Sequence, residues 1–312
     1  MKQVYDIIIL GGGPAGLTAG IYASRARMKT LVLNEGTAGG QLVLTHEIAN
    51  YPGVEATSGF QLANTMKRQA LQFGCQVRSN VQITAFNLSA NPKILEVNGK
   101  ERYEAKTVIL APGGTPRMLG VHGEADFKGR GVSYCATCDG DFFTGKDIVV
   151  VGGGNSALEE AVSLTRYARH VDLVHQFDHF QAFPYAVKEV EENPAITVHL
   201  ESRVTEIRGG DSVEEVMVTH IPTGRERLLQ ADGIFIFIGY TAKTDGFERC
   251  VDLNDRGEIV VTPSMETNVP GVFAAGDCTA KRFRQVTTAV SDGTIAALSS
   301  IEYIRTLPNQ AL

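Results

Sequence analysis

Tryptophan is absent and aromatic residues make up only 7% of the chain, which disfavours a surface that binds sugars or bases by stacking. No apolar run approaches the roughly 18 residues that a membrane span needs. There is no long block of Lys and Arg, and the formal net charge is −6. Nucleic acid and an anionic membrane are therefore not expected as partners. A secretory signal is missing too: Met1–Asp6 runs straight into the short apolar stretch Ile7–Leu10 and a glycine turn, with no small-residue cleavage site. The expectation is a soluble, cytoplasmic protein. Cysteines number five, an odd count, and only Cys135 and Cys138 are closely spaced. That is not a secreted disulfide framework; one reactive pair with three bystanders fits better. What the chain does have is 312 residues, 43% of them hydrophobic, enough for two domains with cores of their own.

An internal repeat organises those residues. Asp6-Ile7-Ile8-Ile9-Leu10-Gly11-Gly12-Gly13-Pro14-Ala15-Gly16 is matched, at a constant offset of 141 residues, by Asp147-Ile148-Val149-Val150-Val151-Gly152-Gly153-Gly154-Asn155-Ser156-Ala157. Each copy is a β-branched run, a glycine turn, a helical pattern and a second strand, Thr30–Leu33 in one and Val171–Val174 in the other. This is a βαβ dinucleotide-binding unit occurring twice. The first glycine allows the tight turn and the second lets backbone approach a pyrophosphate. The third position, Gly16 or Ala157, must be small so that helix packs on strand, and the helix N-terminus then faces the phosphates. The plainer reading is two tight turns in unrelated α/β units; the strand before and the helix and strand after each turn argue against it.

Two such units imply two dinucleotides, and the usual pairing is FAD with NAD(P). FAD is assigned to the first unit because Thr267–Ala275 reads as a buried strand that ends in Gly276-Asp277. An Asp at a strand end beside a helix N-terminus can accept from a flavin ribityl hydroxyl; its other reading is a simple N-cap. An Ala-rich helix follows from near Gln285 to about Tyr303. The expected fold is α/β, with two Rossmann-like domains. Residues 1–113 and 246–312 form a discontinuous FAD domain, and residues 114–245 are an inserted nicotinamide domain. Both crossings contain glycine, which suits a hinge.

Cys135-Ala136-Thr137-Cys138-Asp139-Gly140 lies just before the second dinucleotide strand. Cysteines at this spacing can close a small disulfide, or lower one another's pKa and attack another disulfide as thiolate. Asp139 is placed to shuttle the proton that dithiol chemistry requires; otherwise it is a turn residue before Gly140. A half-zinc site is the competing reading of the pair, but no second CxxC accompanies it.

Gly11-x-Gly13-x-x-Gly16, Gly39-Gly40-Gln41, Asn50-Tyr51-Pro52-Gly53, the Cys135–Gly140 segment, Gly152–Glu160 and Gly276-Asp277 together resemble low-molecular-weight thioredoxin reductase over nearly the whole chain. The resemblance implies that Cys138 lies next to the flavin, that Cys135 attacks the partner disulfide and that Asp139 is the acid–base group. It implies a FAD site that starts with Gly11, Gly13, Pro14, Ala15 and Gly16. Asn34 and Glu35 lie near the adenosine ribose, with Gly40, Gln41 and Asn50 along the flavin. Val81, Ala111 and Gly113 belong to the same site, as do Asp277, Arg284, Gln285 and Val286, Gln285 at the ring edge. It implies a nicotinamide site at Gly152, Gly154, Asn155, Ser156 and Ala157, a homodimer, and thioredoxin or a similar small dithiol protein as partner. Because the nicotinamide site and the cysteine pair share a domain and must both meet one flavin, that domain is expected to rotate on its two crossings.

One segment departs from the pattern. Where the family has His-Arg-Arg-Asp-x-Phe-Arg, this chain has His175-Gln176-Phe177-Asp178-His179-Phe180-Gln181. The arginines that would grip the 2′-phosphate of NADPH are missing, and the next cation along the chain is Lys188. Gln176 can bond a 2′-hydroxyl neutrally, while His175 and His179 offer partial positive charge; Phe177 and Gln181 complete the segment. NADH is the expected donor, with NADPH possible. Other readings are a disulfide reductase fed by ferredoxin, a peroxiredoxin-reducing flavoprotein (which usually carries an extra N-terminal thioredoxin-like region), a dithiol oxidase, and a redox-sensing flavoprotein without turnover.

Overall fold

The β-branched run before each glycine turn is a strand, Gln3–Leu10 in the first copy and Asp147–Val151 in the second. Each leads through its turn into a helix, Pro14–Arg25 or Asn155–Leu164, and on to a parallel partner strand, Thr30–Leu33 or His170–Val174. The structure, a computed structural model, describes residues 3–45, 48 and 50–308. The α/β chain divides into two compact units, Met1–Thr115 with Thr241–Leu312, and Pro116–Tyr240. The crossing segments Gly114–Pro116 and Tyr240–Ala242 pair as a two-stranded sheet.

In the first unit, strands run in the order Gln76–Arg78, Thr30–Leu33, Gln3–Leu10, Glu101–Leu110, Lys93–Val97, Ile83–Asn87. The first four are parallel and the last two antiparallel. Glu101–Leu110 also carries the parallel strand Val272–Ala274 along its last three residues. Ile7 and Ile9 pack on one face with Ala15, Ala19, Ala296 and Ala297, while Ile8 and Leu10 pack on the other with Leu95 and Val108. Burial on both faces explains why the run Ile7–Leu10 is apolar in succession instead of alternating. Helix Pro14–Arg25 meets the C-terminal helix Val286–Thr306 backbone to backbone: a Cβ on Gly293 would lie 2.1 Å from the Ala15 carbonyl oxygen.

The second unit has an all-parallel sheet in the order Ile196–His199, His170–Val174, Asp147–Val151, Gly233–Ile236, Val132–Ser133. Ala157, Leu158 and Ala161 of the helix Asn155–Leu164 cover one face, joined by Ala186 and Val190. The antiparallel strands Ser202–Gly209, Val213–His220 and Glu226–Gln230 cover the other through Val204, Val216 and Val218. The glycine turn after Asp147–Val151 and the cysteine motif after Val132–Ser133 leave the same C-terminal edge of this sheet, with one strand between them.

Candidate active site

In the first unit, strand ends bring the predicted flavin residues to one edge. Gly11 has φ +115°, and a Cβ there would lie 2.0 Å from the Ala111 carbonyl oxygen; only glycine lets these two strand ends close. Gly16 is equally constrained, because its Cβ would lie 1.9 Å from the Gly11 oxygen. Gly40 approaches Gly13 backbone to backbone, its Cβ position 3.1 Å from Gly13 Cα. Helix Pro14–Arg25 starts at Gly13 with no side-chain cap and no acidic residue in its first turn, whereas helix Gly59–Gln72 is capped by Ser58. The uncapped amides suit a pyrophosphate, so the residues present fit a dinucleotide.

The surrounding predicted residues divide by what their polar groups do. Asn34 accepts from the Gly12 N–H (2.8 Å) and donates to the Gly36 carbonyl (2.6 Å). Its amide thus holds the glycine loop, while neighbouring Glu35 is exposed. Val81 is buried, and its N–H donates to the Asn34 carbonyl (3.2 Å). Gly113 has φ +70° and accepts from the Lys243 N–H. The Gly276-Asp277 turn is anchored by Asp292, which accepts from the Gly276 N–H (3.0 Å) and pairs with Lys281. Asp277 is not a helix N-cap: the next helix starts at Val286, and Gln285 caps it in a capping box with Thr288. Arg284 pairs with Glu258 and donates to the Asp277 carbonyl. Gln41 and Asn50 are exposed.

In the second unit Gly152 has φ +146°, and its Cβ would lie 2.5 Å from the Phe237 carbonyl oxygen and 2.7 Å from the Ala157 methyl, so only glycine fits this turn. Helix Asn155–Leu164 also starts at a glycine with no side-chain cap; Ser156 in its first turn is exposed. The divergent segment folds back over this turn. The Gln181 N–H donates to the Gly153 carbonyl (2.8 Å), and the Asn155 side chain accepts from the Phe183 N–H (2.7 Å). Gln176, Phe177 and Gln181 are exposed there. His175 differs from the expectation of partial charge. It is buried against Gly153, its Nε2 lies 3.1 Å from the His179 carbonyl, and burial lowers its proton affinity. His179 is exposed, and its Nδ1 lies 2.6 Å from an Asp178 carboxylate oxygen.

Cys135 and Cys138 form a disulfide. Cys135 is the N-cap of the one-turn helix Ala136–Asp139 and accepts at its carbonyl from the Asp139 N–H (3.2 Å). Burial raises the Asp139 pKa and Asp141 reinforces it, while the Ser133 hydroxyl, donating at 2.6 Å, opposes both. A carboxyl group held toward its protonated form beside a cysteine pair is suited to proton transfer. On the other side, Tyr134 donates to the buried Glu124 (2.8 Å), which also accepts from the Leu119 and Gly120 N–H groups. Ser133, Tyr134 and Glu124 were not predicted as site residues. The bystander thiols Cys75 and Cys278 are buried and pushed up to about 11 and about 12, so neither is a reactive thiolate near neutral pH. Among the described residues, no group of three or more His, Cys, Asp or Glu is arranged to hold a metal, and no helix is long and apolar enough to cross a membrane.

Comparison with known proteins agrees with this geometry. The profile of the pyridine nucleotide-disulphide oxidoreductases matches residues 5–293. The chain belongs to this family. It is 43% identical to a thioredoxin reductase of Peptoclostridium acidaminophilum, over 97% of this chain and 98% of that one. It is also 43% identical to a 34.2 kDa protein in the rubredoxin operon of Clostridium pasteurianum, with the same coverage. A crystal structure of thioredoxin reductase from Streptococcus pyogenes superposes with a TM-score of 0.92 at 37% identity, covering 97% of this chain and 99% of that one. The chain is therefore an oxidoreductase of the pyridine nucleotide-disulphide class, within its low-molecular-weight thioredoxin reductase branch.

Proposed function

We propose that this enzyme carries electrons from NADH, and less readily from NADPH, through FAD and the Cys135–Cys138 disulfide to thioredoxin or a similar small dithiol protein. The observation that carries the reading is the Cys135–Cys138 disulfide beside Asp139, on the same sheet edge as the second glycine turn. In this reading, residues 1–113 with 246–312 hold FAD, residues 114–245 hold the nicotinamide, and the inserted domain rotates on its crossings between flavin reduction and disulfide reduction. Bound FAD supplies a two-electron carrier between nicotinamide and disulfide. The family resemblance supports a homodimer and a cytoplasmic setting.

The chain's own chemistry follows from the cysteine motif. In the reduced enzyme, the Cys135 thiolate attacks one sulfur of the partner's disulfide, whose other sulfur leaves with the bonding electrons and takes the Asp139 proton. Asp139 then removes the Cys138 proton. The Cys138 thiolate attacks Cys135 Sγ, re-forming the Cys135–Cys138 bond and releasing the partner's second sulfur, which is protonated from solvent. The test is anaerobic titration of the purified FAD-loaded protein with NADH and NADPH separately, followed by oxidised thioredoxin. A protein whose flavin is reduced but which passes no electrons to thioredoxin would overturn the reading. The missing arginines at positions 176, 177 and 181 favour one alternative, a protein electron donor such as ferredoxin.

Phe142 and Phe143 follow the motif, and their environments separate them. Phe143 is buried, its ring edge-on to Phe235 at 5.1 Å, whereas Phe142 is 42% exposed. Phe142 is the better landing site for thioredoxin, with exposed Arg130 at the rim. Phe142→Ala is expected to raise the KM for thioredoxin about tenfold and to leave flavin reduction unchanged. Phe143→Ala is expected to cost about 3–5 kcal/mol of stability instead, seen as a lower Tm. Equal loss in both half-reactions for Phe142→Ala would contradict the docking role.

A further inference from the structure

We propose that Ser133 is a positioning residue for the disulfide step, its hydroxyl fixing the Asp139 carboxyl group against the Cys135 end of the motif. This rests on the disulfide-reductase reading above.

Ser133 ends the edge strand Val132–Ser133 and is buried. Its Oγ makes short contacts at both ends of the cysteine loop. It accepts from the Cys135 N–H (3.1 Å) and donates to Asp139 Oδ2 (2.6 Å), with the Cys135 carbonyl further off at 3.4 Å. A hydroxyl has one proton to give, and the shorter distance assigns it to Asp139. The strand is fixed by parallel pairing with Gly233–Ile236, so the hydroxyl is a rigid reference point for a one-turn helix that is too short to be stable alone.

The same contact sets when Asp139 releases its proton. Burial and the Asp141 carboxylate, on the turn Gly140–Phe143, hold the group toward its acid form; the Ser133 hydroxyl is the opposing influence. Other titratable groups around the motif are Glu159 and Glu160 on the helix Asn155–Leu164, where burial and then Glu159 raise Glu160, Lys146 over the Phe143 ring, Tyr167 against Gly140, and Glu124 with its Tyr134 partner. Removing the Ser133 hydroxyl leaves burial and Asp141 unopposed, so Asp139 stays protonated to higher pH. As the proton donor to the departing thiolate, Asp139 governs the alkaline limb of the reaction, and that limb moves upward.

The experiment is anaerobic stopped-flow mixing of pre-reduced, FAD-loaded enzyme with oxidised thioredoxin across pH. Ser133→Ala is expected to shift the alkaline limb up by about one to two pH units and to slow the plateau rate, with flavin reduction by the donor unchanged. Ser133→Thr, which keeps the hydroxyl, should restore the wild-type limb. Tyr134→Phe loosens the same segment without touching Asp139 and should leave the limb in place. Should Ser133→Ala not fold, Ser133→Cys, a weaker donor of nearly the same shape, carries the test by an upward shift in the same direction. An unmoved limb in the folded Ala or Cys variant, or an equal shift in Tyr134→Phe, overturns the proposal. Absence of thioredoxin reduction by wild-type enzyme at every pH would instead remove the disulfide-reductase reading itself.

Discussion

Cys138→Ser is expected to leave the flavin reducible by its electron donor and to lower reduction of a protein disulfide by about three orders of magnitude or more. The size follows from the chemistry: without a second thiolate the mixed disulfide at Cys135 cannot be resolved, and electrons have no route off the flavin through sulfur. Cys135→Ser gives the same loss of turnover with a different signature. In the proposed arrangement it leaves Cys138 as a free thiol beside the oxidised ring, where a thiolate would produce a long-wavelength charge-transfer band. Cys75 and Cys278 do not substitute, because burial holds both in the thiol form. Two measurements separate the roles: absorbance of the oxidised variants, and single-turnover thioredoxin reduction. Full thioredoxin turnover by Cys135→Ser, or the charge-transfer band in Cys138→Ser, would reverse the assignment of attacking and flavin-side sulfurs.

The features legible in the sequence are those set by local geometry. A β-branched run, glycines at fixed spacing and a helical pattern locate both dinucleotide turns, and the clashes at Gly11, Gly16 and Gly152 show why no other residue serves. The CxxC spacing likewise gives the disulfide. What was not legible depends on partners distant in the chain. Phe143 is buried because Gly233 leaves room for its ring, a Cβ there lying 2.2 Å from it; nothing near Phe143 in sequence distinguishes it from Phe142. Gly153 makes room for His175 in the same way, with a Cβ position 2.2 Å from the imidazole, turning a candidate cation into a buried neutral ring. Asn34 and Glu35 are adjacent acceptors, and only the Gly12 N–H, 22 positions earlier, shows which is already engaged. Ser133 lies two residues before Cys135, yet its link to Asp139 exists only because the one-turn helix brings that carboxyl group back over the strand end.

NADH is expected to reduce the flavin with a higher kcat/KM than NADPH, and replacing Gln176, Phe177 and Gln181 together by Arg is expected to reverse that order. All three side chains are exposed above the second glycine turn, so arginines there need not displace core packing. The charge environment of the segment points the same way. His175 is held neutral by burial. His179 has Asp178 within 2.6 Å, and that pairing keeps the Asp178 carboxyl ionised, so any positive charge on His179 is offset by a negative one. Lys188, the next cation along the chain, is 3.7 Å from Glu192. A 2′-phosphate would therefore be desolvated here without a matching cation, while the pyrophosphate common to both nucleotides still meets the uncapped helix N-terminus. Each restored charge-assisted contact is worth about 1.5–3 kcal/mol, so two of them give about 10²- to 10⁴-fold in NADPH affinity at about 1.4 kcal/mol per tenfold. The gain should shrink as salt is raised, because new contacts on an exposed surface are screened; a gain indifferent to salt would mean that packing, not charge, had changed. Rapid reduction of the wild-type flavin by micromolar NADPH contradicts the expected preference outright. Failure of both nucleotides to reduce it, with reduction by ferredoxin instead, moves the donor role to a protein and leaves the second glycine turn without a catalytic nucleotide.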